Sequence, residues 1–184
     1  ERSRSLCALI SDEIERSGGV VGFDRFMHLA LYQPGLGYYT GDAPIFGPSG
    51  DFVTAPESGE LFARCLAHQC LEVLGQIGGF VLEYGAGSGR LACCLLENLR
   101  EHGNLPEGYV IVEPSDVLQR RQRKLIEQHA PYFLDRVQWY DAHPRDQYVG
   151  FVVANEVLDA LPVKRFIVQQ GVIKELGVGL DDGR

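Results

Sequence analysis

Three glycines two residues apart, Gly85, Gly87 and Gly89, follow the apolar run Phe80-Val81-Leu82 and the acid Glu83. Glycine lets a backbone turn tightly and approach a ligand that any Cβ would hold off. A buried strand that runs into such a loop and then into a helix is a nucleotide-binding arrangement, because loop amides and the positive end of the helix dipole favour an anionic group. Two further acids stand at comparable places. Tyr109-Val110-Ile111-Val112 ends in Glu113, and Val137-Gln138-Trp139-Tyr140 ends in Asp141. A carboxylate at the end of the neighbouring strand, some 24 residues past the last glycine, suits a grip on both ribose hydroxyls. Asp141 suits a hydrogen bond from an adenine amine, although a surface acid after a strand is the ordinary alternative.

The glycine spacing narrows the choice of cofactor. A dinucleotide enzyme has Gly-x-Gly-x-x-Gly, whereas Arg90 stands here where the third small residue belongs. Glu83, two places before the first glycine, points instead to S-adenosyl-L-methionine, with its carboxylate near the methionyl ammonium and with Gly85, Ala86, Gly87 and Gly89 forming the cradle. A second cluster, Asn155, Glu156 and Asp159, lies in Ala154-Asn155-Glu156-Val157-Leu158-Asp159-Ala160-Leu161-Pro162 at the end of a fourth apolar run. Glu156 and Asp159, three residues apart on a short helix, would face one side. The plainer alternatives are acids complementing a helix dipole and, for Asn155, a turn bond to its own backbone.

These residues need elements to hold them. Leu6, Ile10 and Ile14 predict an amphipathic helix that stops at Gly18-Gly19, and a second runs from about Asp24 to Tyr32. Residues 34–57 are rich in Gly, Pro and aromatics, a composition and length that suit a functional loop; Thr54 and Glu57 on it either close over the cofactor or serve as turn and cap residues. Phe62, Cys65, Leu66, Cys70 and Val73 predict a helix leading through Gly75 to Gly79 into the first core strand. Leu91, Leu95, Leu96 and Leu99 predict another, and a third runs from an N-cap at Ser115 to about His129. Strands at 80–82, 109–113, 137–140 and 150–154, alternating with helices, imply a parallel sheet with helices on both faces and a ligand site at the strands' carboxyl ends. Val163 to Val168 and Val172 to Val178 read as a hairpin around Gln170-Gly171. The expected division is an N-terminal helical cap with the Gly-rich segment, 1–76, and a cofactor-binding core, 77–184.

Composition excludes several classes. The 184 residues, 45% hydrophobic and 23% charged, suit a globular fold. A net charge of −8 argues against nonspecific nucleic-acid binding; the basic run Arg120-Arg121-Gln122-Arg123-Lys124 reads as a solvated helix face. No apolar run approaches a membrane span and the polar N-terminus has no signal-peptide core, which predicts an intracellular protein. Five cysteines without C-x-x-C spacing read as reduced core thiols, and five scattered histidines offer no metal site.

Taken together, Tyr38-Tyr39, Gly50-Asp51-Phe52-Val53-Thr54-Ala55-Pro56-Glu57, Glu83-Tyr84-Gly85-Ala86-Gly87-Ser88-Gly89, Val112-Glu113-Pro114-Ser115 and Asn155 to Pro162 resemble the MidA-like family of class I methyltransferases. The resemblance implies a Rossmann-like α/β fold and S-adenosyl-L-methionine as cofactor. Mitochondrial members of the family assist complex I assembly and methylate an arginine of one of its subunits. It implies a protein arginine as acceptor, a cytoplasmic location for a bacterial protein and the mitochondrial matrix for a eukaryotic one. Family members are roughly twice as long, so further C-terminal strands are expected to be missing here, which leaves an open sheet edge suited to homodimer formation or self-association. On this reading Glu156 orients the acceptor guanidinium, assisted by Asp159 or Asn155. Two other readings stay open: a noncatalytic assembly or interaction protein that keeps the fold, and a nicotinamide-dependent oxidoreductase, against which Arg90 and the lack of a Tyr-x-x-x-Lys pair both count.

Overall fold

The computed structural model describes residues 1–41, 45–47 and 50–181; within the Gly/Pro-rich segment, 42–44 and the Pro48-Ser49 pair lie outside the described residues, as do 182–184. In chain order the elements are helix α1 (Arg2–Arg16), strand β1 (Val20–Gly22), helix α2 (Phe23–Tyr32), the short helix α3 (Ala55–Ser58), helix α4 (Glu60–Ile77), strand β2 (Phe80–Tyr84), helix α5 (Arg90–Glu101), strand β3 (Tyr109–Val112), helix α6 (Asp116–His129), strands β4 (Val137–Tyr140) and β5 (Gly150–Ala154), and the hairpin strands β6 (Arg165–Gln169) and β7 (Val172–Gly179). Single 3-10 turns lie at Tyr38–Thr40, Pro131–Arg136 and Leu158–Ala160.

The chain divides into two units, one of residues 1–41 with 158–184 and one of residues 42–157. This division differs from a boundary at 76: α4 shares a core with α5, and the C-terminal hairpin belongs with the N-terminal helices. In the first unit, β7 pairs antiparallel with both β1 and β6. Gln170 and Gly171 both have positive φ, 51° and 74°, the two-residue turn whose twist matches a hairpin. The Arg2 guanidinium donates to the carbonyls of Leu36 and Gly37, and the Tyr32 hydroxyl donates to the Ala160 carbonyl at 2.9 Å.

The second unit is an α/β layer: a four-stranded parallel sheet in the order β4-β3-β2-β5. Side-chain alternation sorts its residues. Val81, Tyr109, Ile111, Val137 and Val153 share a core with Leu91, Leu95, Leu96 and Leu99 of α5, Ile126 of α6, and Ala63, Ala67, Cys70 and Leu74 of α4. Leu82, Val110 and Val112 point the other way and meet Phe80, Tyr84, Tyr140 and Tyr148. Within this unit the helices α4, α5 and α6 all pack on the first of these faces. The physical reason is the direction of travel: β2, β3 and β4 step one way, so their right-handed crossovers α5 and α6 fall on one side. The return from β4 to β5 crosses the other side without a helix, and Tyr148 covers it, edge-on to Phe80 at 5.2 Å.

The buried stripe of α4 overlaps the one expected, with Cys70 in the core and Phe62 and Leu66 packed against it. Ala63, Ala67, Cys70 and Leu74 face the core, Cys65 is exposed, and Gly75 lies within the helix. Close approach to neighbouring elements selected the small residues, which hydrophobicity alone undervalues. Cys7 is exposed as well, so the thiols are not uniformly core residues. No described helix is long and apolar enough to cross a membrane.

Candidate cofactor site

Strand order reverses between β2 and β5, the switch point at which open α/β sheets bind ligands beyond their carboxyl ends. The loop after β2 starts there. The Gly85 amide donates to the Val112 carbonyl at 2.9 Å, and the Gly89 amide closes a turn onto the Ala86 carbonyl at 2.8 Å. All three glycines sit at positive φ, 62°, 55° and 88°. Their surroundings differ. A Cβ on Gly85 would lie 3.0 Å from Val157, one on Gly87 would lie 3.3 Å from the Phe46 ring, and one on Gly89 would lie 3.1 Å from the Gln122 Cα. The third glycine thus serves the packing of α6 against the loop, and the first two leave room for Val157 and Phe46 to lie against the cradle.

Glu113 follows β3 and is 4% exposed. Its Oε1 accepts from the Ser115 amide at 3.0 Å and its Oε2 from Gln122 Nε2 at 3.2 Å, while its own amide donates to the Tyr140 carbonyl at 2.8 Å. Burial pushes the carboxyl up to about 7, and the bonds from Ser115 and Gln122 pull the other way. Glu83, 2% exposed, accepts from the Tyr109 hydroxyl at 2.7 Å. Burial raises it to about 7 as well, with Tyr109 lowering it and the charge of Glu113 adding a further push upward. Its partner Tyr109 belongs to the helix-covered core, so the carboxyl is anchored beneath the loop.

The Gly/Pro-rich segment reaches the same loop. Ser88 Oγ donates to Glu57 Oε1, and Phe46 and Phe52 form a bridge beside it. Thr54 stands at the N-cap of α3 without a side-chain capping bond; its carbonyl accepts from the Glu57 and Ser58 amides. Asp141 is exposed and follows Tyr140 directly, next to the backbone partner of Glu113. Asn155 is half-buried and Glu156 exposed after β5.

Glu156 corrects an expectation. Its φ is 51°, left-handed, and only Leu158–Ala160 forms a 3-10 turn, so Glu156 and Asp159 do not share a helix. A non-glycine residue held in that region stores of order 1 kcal/mol, strain that concentrates at functional sites. Asp159 is exposed in the other unit. Sequence reasoning missed Gln122, read there as part of a solvated basic face. Its side chain is 0% exposed, donates to the Gly87 carbonyl at 3.0 Å as well as to Glu113, and accepts from Trp139 Nε1 at 3.1 Å. The signal was its place between Leu118 and Ile126, four residues from each, on the buried stripe of α6.

A family model described as S-adenosyl-L-methionine-dependent methyltransferase matches residues 65–184. The chain belongs to this methyltransferase family. That agrees with the resemblance drawn from the motifs, and the cofactor of the family is S-adenosyl-L-methionine. A crystal structure of a COG1565 superfamily member from Burkholderia thailandensis, bound to S-adenosyl-homocysteine, is 43% identical with a TM-score of 0.85; the match covers 98% of this chain and 48% of that one. The mitochondrial protein arginine methyltransferase NDUFAF7 homolog of Caenorhabditis elegans is 28% identical over 189 residues, 90% of this chain and 44% of the relative. The human protein arginine methyltransferase NDUFAF7 is 27% identical over 191 residues, 90% and 43% respectively. The chain thus spans less than half the length of these relatives.

The residues present fit the cofactor. A glycine cradle at the switch point, a buried carboxylate fixed at the end of the adjacent strand and an acid after the next one supply the donors and acceptors that a nucleoside with a charged amino-acid tail requires.

Proposed function

We propose that the chain carries the cofactor-binding part of a protein arginine methyltransferase. The observation that carries the reading is the buried Glu113 carboxylate, tied to the glycine loop through Gln122 at the switch point of the sheet. Arginine as acceptor rests on the relatives named for that activity and on the acids after β5.

The bound cofactor supplies an electrophilic methyl group on a sulfonium. The protein's part is to bind and align. Glu113 accepts from the ribose hydroxyls, Asp141 from the adenine amine, and Gly85, Ala86, Gly87 and Gly89 keep the loop backbone close to the ligand. Glu83, anchored on Tyr109, holds the strand end behind the loop and sets the negative potential near the amino-acid tail. Thr54 belongs to the segment that Glu57 fastens to Ser88, over the same loop. Positioning of this kind contributes about 7 to 11 kcal/mol when the reacting atoms are aligned.

The acceptor guanidinium is always protonated and must approach a cation. Glu156, presented by a strained turn immediately after β5, offsets that repulsion and takes the planar fork through paired bonds, with Asn155 beside it. In complex I assembly, the role implied for the mitochondrial members, such a methylation marks one subunit. Calorimetric titration with S-adenosyl-homocysteine tests the cofactor step: saturable binding that Glu113→Gln weakens supports it, and a folded chain that binds nothing refutes it. Methyl transfer to arginine-containing peptides, present in the parent and lost in Glu156→Gln with cofactor binding intact, tests the acceptor.

A further inference from the structure

We propose that Gln122 is a positioning residue of the cofactor site, whose one side-chain amide holds the Gly87 carbonyl and the Glu113 carboxylate in fixed register. The proposal rests on the reading of the glycine loop and Glu113 as that site. An amide carries two N–H donors and one acceptor oxygen. Here Nε2 donates to Gly87 O at 3.0 Å and Glu113 Oε2 at 3.2 Å, and Oε1 accepts from Trp139 Nε1 at 3.1 Å. The side chain therefore links the loop after β2, the acid after β3 and the strand β4. Gly87 and Glu113 each present an acceptor, so nothing but a donor between them keeps the two together.

The placement argues for that role. Leu118, Gln122 and Ile126 form the buried stripe of α6, and a polar residue at a fully buried position costs free energy unless its bonds are made. An apolar residue of the same volume would fill the stripe without that demand. The backbone of Gln122 also forms the wall that Gly89 faces, 3.1 Å from where a Cβ would stand, so the loop is held close enough for the amide to reach Gly87. The charged neighbours Arg120, Arg123 and Lys124 are exposed and do not share the position.

The test compares the parent chain with Gln122→Met, which keeps the volume without donors, and Gln122→Glu, which keeps the acceptor for Trp139 and places oxygen against oxygen. Each is titrated calorimetrically with S-adenosyl-homocysteine, its cooperative melting is recorded by circular dichroism, and the emission of Trp139, the one tryptophan, is followed on titration. The expected result is binding weakened roughly 10- to 100-fold in folded variants, as for loss of a bond to a charged group, with the ligand-induced change in Trp139 emission abolished. A merely structural role would lower the melting temperature and leave the affinity and emission response of the folded fraction unchanged. Where Gln122→Met folds poorly, Gln122→Met/Trp139→Phe removes the stranded indole donor and allows the same binding comparison. Folded variants that bind within about twofold of the parent overturn the role of Gln122 and leave the cofactor reading standing. A folded parent that does not bind overturns the cofactor reading and the proposal with it.

Discussion

Burial holds two carboxyl groups behind the glycine loop, Glu83 and Glu113, at about 7, well above an exposed glutamate. Because the folded value exceeds the unfolded one, the native state keeps protons that the unfolded chain releases. The stability this gives is present below about pH 4.5 and is lost as pH rises through about 7. Glu83→Gln keeps the shape of the neutral form, so its urea midpoint is expected to fall less than the parent's between about pH 5 and about pH 8, by up to about 3 kcal/mol in stability. Parallel pH profiles would disprove this. The cysteines give a second expectation. Cys7 and Cys65 are exposed, while burial pushes Cys70 up to about 11 and Cys93 to about 12, so a disulfide reagent should label Cys7 and Cys65 first in the native protein and all the thiols only in denaturant. At this scale residue type and spacing were enough to place the glycine turn after β2 and a buried acid after β3, at Gly85 to Gly89 and Glu113. Gln122 was not legible, because four basic neighbours made its segment read as surface. Nor was the backbone of Glu156, since a φ of 51° leaves no mark on composition.

Helix starts and strand contacts give the expectations at the level of elements. Ser115 caps α6 by accepting from the Leu118 amide at 3.3 Å, and its substitution by alanine is expected to cost roughly 0.5 to 2 kcal/mol in chemical denaturation. Gly150 is less tolerant. A Cβ there would stand 1.9 Å from the Phe80 carbonyl oxygen at a φ of 147°, so Gly150→Ala should separate β5 from β2 and lower stability by about 3 kcal/mol or more. A variant with parental stability would show that the strand edge can shift. Periodicity was sufficient for α5, α6 and every strand of the parallel sheet. For α4 it found Phe62, Leu66 and Cys70, which pack in or against the core, but passed over Ala63 and Ala67, whose small side chains carry little apolar signal. The hairpin was readable from Gln170-Gly171, but its pairing with a three-residue strand 150 residues earlier in the chain was not, because only tertiary contact makes β1 a strand.

For the molecule as a whole, charge and exposed surface act against one another. A net charge of −8 keeps copies apart, while Phe166, Val168 and Ile173, 67%, 59% and 71% exposed, share one face of the β6–β7 hairpin. Self-association that grows with salt is expected in sedimentation velocity, and Ile173→Lys should reduce it; a parent that stays monomeric at high salt would argue against an adhesive hairpin. The order β4-β3-β2-β5 carries a consequence for synthesis on the ribosome. Phe80 pairs with Gly150, so the strand that opens the glycine loop waits with one edge bare until seventy further residues have emerged. β3 can add beside it early, through one short crossover, but β5 arrives after the largest loop closure in the sheet and should be the last strand to acquire protection in pulsed hydrogen exchange. A nascent chain arrested before Gly150 would then already hold Glu113 beside its glycines and yet lack the strand that presents Glu156, so the two halves of the proposed site are born in sequence.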